Sequence, residues 1–86
     1  MKESIVKQII GNAGKNLHTI IITAREKDGT AETREAEPYS YRITKGEEKF
    51  FCFDIQKGGI RNFAVSNIIS VEETQNSFTP RWPVEV

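Results

Sequence analysis

Beyond Gly14 the hydrophobic pattern changes from a helical period to a period of two and does not change back, which confines the chain to a small strand-rich fold. Leu17 to Arg25 is rich in β-branched residues, which suit a pleated surface, and it ends at Lys27-Asp28-Gly29, a strong turn signal. Thr30 to Glu37 reads as a polar strand with one face to bury. After Pro38 the extended pattern resumes from Tyr39 to Ile43, so the proline marks a bend or an edge position. Lys45-Gly46-Glu47 and Lys57-Gly58-Gly59 are further turns, and Ser66-Asn67 is a short break. The expected strands are therefore about 17–25, 30–43, 49–55, 60–65 and 68–73.

The residues before this switch behave differently. Ile5, Val6, Ile9 and Ile10 recur at helical spacing from Ser4, which can cap the start, while Gly11 or Asn12 can end the helix. A helix of two turns, about 4–11, is marginal alone and must bury its isoleucines on the sheet. In the third strand Phe51, Phe53 and Ile55 fall on one side and Phe50 and Cys52 on the other, so both faces need cover. Phe50, Phe51, Phe53 and Phe63 are the expected core aromatics, with Phe51, Phe53 and Phe63 on one shared face. The segment 77–86 carries Phe78, Trp82 and Val84 among polar residues and prolines, a pattern suited to an extended strip packed by one edge. One domain of 86 residues results: a mainly β (α+β) fold, with a short N-terminal helix on a five-stranded, strongly curved antiparallel sheet of the Sm-like or SH3-like small-barrel kind.

Composition bounds the function. Lys plus Arg and Asp plus Glu number 12 each, so no global charge attracts a polyanion, although a local patch can hide in a neutral total. One Cys excludes an internal disulfide, and one Cys with one His cannot furnish a self-contained zinc site. No apolar run approaches a membrane span, and the charged N-terminus lacks a signal-peptide core, so the cytoplasm is the expected location. There is no nucleophile–base pairing, no supported carboxylate dyad and no metal-ligand spacing. The chain reads as a binding module without catalytic residues or cofactor, not as an enzyme.

Three stretches carry a resemblance to a family. Arg34-Glu35-Ala36-Glu37-Pro38, then Phe50-Phe51-Cys52, then Gly59-Ile60-Arg61-Asn62-Phe63-Ala64-Val65-Ser66-Asn67-Ile68 resemble, in order and spacing, the motifs of WYL domains. The resemblance runs from about Leu17 to Phe78. It implies a regulatory module that recognises a negatively charged ligand, a nucleotide or single-stranded nucleic acid, through basic residues. Two departures stand out: the naming triplet is Phe-Phe-Cys, and the later family arginines are replaced by Ala64 and Asn67. The helix-turn-helix that usually precedes such domains is not found in this sequence.

The candidate ligand-binding residues are Arg34, Arg61, Arg42, Tyr39 and Tyr41. Arg34 and Arg61 occupy matching family positions, and a guanidinium fork suits a phosphate. Arg61 has a second reading, a cross-strand pair with Glu35, Glu37 or Asp54. Arg42 interleaved with Tyr39 and Tyr41 suits base stacking beside phosphate contacts, or simple packing at a barrel surface. His18 and Cys52 read as structural, and Trp82 either folds back or anchors a partner. The competing function is a protein-interaction or self-association module working through a barrel edge and the C-terminal segment.

Overall fold

The computed structural model describes all residues, Met1–Val86. Helix α1 (Glu3–Asn16) has 14 residues, about twice the expected length. It continues past Gly11 and Asn12 because the next turn still has something to bury: Ala13 and Gly14 are buried together with Val6 and Ile10. That packing outweighs the roughly 1 kcal/mol penalty of a mid-helix glycine. The N-cap is Lys2, without a side-chain hydrogen bond, rather than Ser4, and Leu17 ends the helix in the left-handed region at φ 55°. No helix is long and apolar enough to cross a membrane.

Five strands follow: β1 (His18–Arg25), β2 (Ala31–Thr44), β3 (Glu47–Asp54), β4 (Gly59–Ala64) and β5 (Ile68–Ser77). β5 runs four residues beyond its expected end because β1 offers partners as far as His18, opposite Ser77. The strands pair antiparallel in the order β4-β3-β2-β1-β5. The edges β4 and β5 are joined by a 3-10 turn (Val65–Asn67), so the connection crosses from one edge of the sheet to the other and curls it into a barrel-like shape. β2 and β3 meet in a two-residue turn with Lys45 at φ 52° and Gly46 at φ 78°, the pair of positive angles that a right-twisted hairpin requires.

Pro38 lies in a strand that is central by order, yet it breaks no central ladder. The pairing of β1 with β2 ends at Ile20 opposite Ala36, so β2 has a partner on one side only at Pro38. The register with β3 then shifts between Pro38 and Ser40, leaving Tyr39 as the extra residue of a bulge.

The expected face of β3 is inverted. Phe50, Cys52 and Asp54 point inward and are buried, whereas Phe51 and Phe53 are half-buried on the outer face and Ile55 is exposed. Alternation alone cannot tell inside from outside when both sides are apolar. The register decides: Phe50 lies opposite Phe63 on β4 and Tyr41 on β2, beneath α1. Phe63 is a core residue as expected.

Candidate ligand-recognition site

Two arginines from different motifs meet on the inner face of the sheet. Arg34 stands opposite Ile22 of β1, and Arg61 stands opposite Cys52 of β3, so both share the side of the buried apolar residues. Between them lie three carboxylates. Arg61 donates to Glu26 Oε1 at 2.7 Å, to Asp54 Oδ2 at 3.4 Å and to Glu32 Oε1 at 3.5 Å. Arg34 donates through Nε to Glu32 Oε1 at 2.6 Å and lies 3.8 Å from Asp54 Oδ2. Asp54 is only 1% exposed, and its other oxygen accepts the Lys57 N–H at 3.0 Å. The Arg61 guanidinium also lies 5.0 Å from the Phe63 ring centre.

The electrostatics follow from this packing. Burial works against the Arg61 cation, but the hydrogen bond and charge of Glu26, with Asp54 and Glu32, outweigh it and raise its pKa. The Arg34 hydrogen bond, first among several, lowers the pKa of Glu32. Two cations against three carboxylates leave this cluster short of positive charge, and both forks are already filled. The structure therefore brings Arg34 and Arg61 together as an ion-paired set, and Asp54 is the partner that the pairing reading named.

Positive charge collects just beyond it, in a cleft of about 170 Å³ where the β1–β2 turn faces β4 and the 3-10 turn. Arg25, Lys27 and Lys49 line it with Glu26, Glu47, Asn62 and Asn67, above Phe63 and Ala64. Nearby ion pairs are Glu26 with Arg61 and Glu47 with Lys49 at 3.9 Å, which leaves Arg25 and Lys27 without a carboxylate partner. Ala64 and Asn67 lie in this lining. Lys49 stands directly opposite Ala64 across the strand pair and so places a cation beside it. Arg42 stands opposite Lys49 on β2 and extends the basic rim. Sequence reasoning did not single out Arg25, Lys27 or Lys49, because their proximity arises only when the barrel-like curl brings the end of β1 to the end of β4.

Tyr39 is withdrawn from solvent, and Tyr41 is half-buried. Tyr39 is 0% exposed, stacks on Trp82 with ring centres 4.2 Å apart, and donates to Glu37 Oε1 at 2.7 Å. Burial, first, and then Glu37 push its pKa up to about 12. The Tyr41 hydroxyl is buried without a hydrogen-bond partner, its ring against Phe50 and 5.1 Å from Lys7 Nζ; burial raises its pKa to about 12. The Tyr39 ring is therefore covered by Trp82, while the Tyr41 ring packs on Phe50 by one side. Cys52 is buried, and burial pushes its thiol up to about 12, well away from a reactive thiolate.

On the outer face, Thr19 donates to Glu35 at 2.6 Å, and Asn76 donates to the same oxygen at 2.9 Å. These bonds, that of Thr19 first, lower the pKa of Glu35. Asn16, first, and His18 lower that of Glu73. A carboxylate whose pKa is lower folded than unfolded stabilises the fold above its unfolded pKa and loses that contribution as pH falls through the folded value. The urea midpoint is therefore expected to hold steady at neutral pH and to decline as pH drops below the ordinary carboxylate range. In Glu35→Gln the decline should be shallower. A midpoint that rises on acidification would contradict these assignments.

At the level of fold, the helix on its curled five-stranded sheet is WYL-like, by its likeness to a solved structure. The solved structure of proteasome accessory factor B/C (PafBC) of Arthrobacter aurescens is similar to this chain with a TM-score of 0.78 and 15% sequence identity, over 95% of this chain. The chain spans 14% of that protein's length, and at this identity the likeness is one of fold. No family model matches the sequence, and no curated protein matches it.

Proposed function

We propose that this chain is a non-catalytic regulatory module that recognises a negatively charged ligand, a nucleotide or a short single-stranded nucleic acid, in the basic cleft between the β1–β2 turn and β4. The observation that carries this reading is the cleft itself, in which Arg25 and Lys27 have no carboxylate partner and Lys49 with Arg42 continues the rim. Asn62 and Asn67 supply neutral donors at the same place. In this reading Arg61 acts indirectly: it holds the Glu26 carboxylate, which would otherwise oppose an anion in the cleft. The WYL-like fold is in keeping with such a role. No metal or cofactor is needed.

The test is a titration with labelled short single-stranded oligonucleotides and with nucleotides, at two salt concentrations. Each phosphate contact on a single strand contributes a log-log salt slope of about −0.7, so two or three contacts give a shallow slope and weak binding. Lys49→Glu is expected to weaken binding roughly tenfold, equivalent to about 1.4 kcal/mol. Its melting temperature should stay near wild type, because the side chain is on the surface. Absence of binding at low salt would overturn the proposal. It would favour the interaction reading, for which the unpaired edge of β4 and Ile60, 63% exposed upon it, offer the surface.

A further inference from the structure

The outer face of the sheet carries a second built site, and in this structure the chain fills it with its own residues Phe78–Val86. The receptor side consists of Glu37 and Tyr39 on β2 and Phe53 on β3, together with Gly14 on α1, the helix that covers the other face. Glu37 is 5% exposed and receives Arg81 in a fork, Nε to Oε1 at 3.1 Å and a terminal nitrogen to Oε2 at 3.4 Å. The Arg81 guanidinium lies 3.8 Å from the Phe53 ring centre, and the Arg81 N–H donates to the Tyr39 hydroxyl at 3.0 Å. Trp82 stacks on Tyr39 and meets Phe53 edge-on at 6.4 Å. Val84 and Val86 close over Gly14 so tightly that a Cβ there would collide with a Val86 methyl.

Each of these groups is matched to a feature of one extended peptide. A nearly buried carboxylate meets a guanidinium, a bulged tyrosine meets an indole, and a helical glycine meets two valines. The sheet does not depend on the match. Most backbone hydrogen bonds lie within helices and strands, and beyond Phe78 the segment adds a single one, from the Glu85 N–H to the Tyr39 carbonyl at 2.6 Å. Release of the segment would leave the ladder whole while baring Tyr39 and Phe53, an apolar surface that favours recapture of a matching strip.

We propose that this groove is a recognition site for an extended peptide of the pattern Arg-Trp-Pro-Val-x-Val, and that a second copy of this chain supplies it by exchange of the Phe78–Val86 segment. The charge complementarity of Glu37 and Arg81 selects that occupant. Within one chain the linked segment has the advantage of a high effective concentration, so exchange becomes dominant when the intramolecular match is spoiled and the intermolecular one kept. The proposal is independent of the anion cleft.

Two charge reversals provide the test. In Glu37→Arg the groove repels its own segment, and in Arg81→Glu the segment repels its own groove. Mixed, the two variants are complementary in both directions. Each alone is expected to sediment as a monomer of 9.8 kDa, and the equimolar mixture as a species of twice that mass. The chain carrying both substitutions restores the intramolecular pair and stays monomeric. A labelled peptide with the sequence of 78–86 should bind the Arg81→Glu variant and not the Glu37→Arg variant. If a variant is unfolded alone, folding on mixing supports the exchange equally. A mixture that stays monomeric, folded or not, or a peptide that ignores the Arg81→Glu variant, overturns it.

Discussion

Replacing Phe50 by alanine is expected to lower the unfolding free energy by about 3–5 kcal/mol, the usual cost of removing a buried phenylalanine. Phe50 is 0% exposed and lies between Phe63 and Tyr41 under the helix, so no surface side chain can collapse into the space it leaves. A chain of this size has a total stability of roughly 4–13 kcal/mol, so the loss is a large share of the whole. The same change at Phe51, one residue along, removes a half-buried ring from the outer face and should cost about 1 kcal/mol. Urea unfolding of both variants measures the difference. Equal losses, or a larger loss at Phe51, would turn β3 over and reassign the inner face of the sheet.

The second large effect is expected at Arg61. Arg61→Met keeps the length of the side chain and its packing beside Phe63 but removes the cation that Glu26, Glu32 and Asp54 share. Taking away one partner of a buried pair costs 3–5 kcal/mol as a rule, because the other charge stays buried and unpaired. Here Arg34 remains 3.8 Å from Asp54, which puts the expected loss near the lower end, about 3 kcal/mol. The gap between variant and wild type should narrow in acid, since protonation neutralises the orphaned carboxylates. Chemical denaturation at neutral and acid pH measures this. An unchanged neutral midpoint would mean that Arg61 is held in reserve for a ligand rather than engaged by the fold.

These two positions also show how far the residues themselves could be read. The helix, the five strands and the turns were legible because each is a local matter. Periodicity, β-branching and the glycines at Gly29, Gly46 and Gly58, all at positive φ, are properties of neighbours in sequence. The length of α1 was not legible, since the helix continues past Gly11 to bury Ala13 in the core and Gly14 beneath Val84 and Val86 from the far end of the chain. The inner face of β3 was not legible either. Phe50-Phe51-Cys52-Phe53 is apolar on both sides, and the choice between them fell to the cross-strand register and to whatever covered each side.

The site divides in the same way. Arg34 and Arg61 could be picked out as residues, but whether their guanidiniums are free or filled depends on Glu26, Glu32 and Asp54, which come from three separate stretches of the chain. Arg25, Lys27 and Lys49 drew no attention as single residues on separate strands and turns. Sequence alone determined the class of fold and which residues were able to carry charge or stack. The tertiary structure alone decided which charges cancel, which tyrosine is covered by Trp82 and where unpaired positive charge remains. The physical reason is range: propensity and periodicity act over a few residues, whereas burial and ion pairing depend on strands brought together across the curl of the sheet.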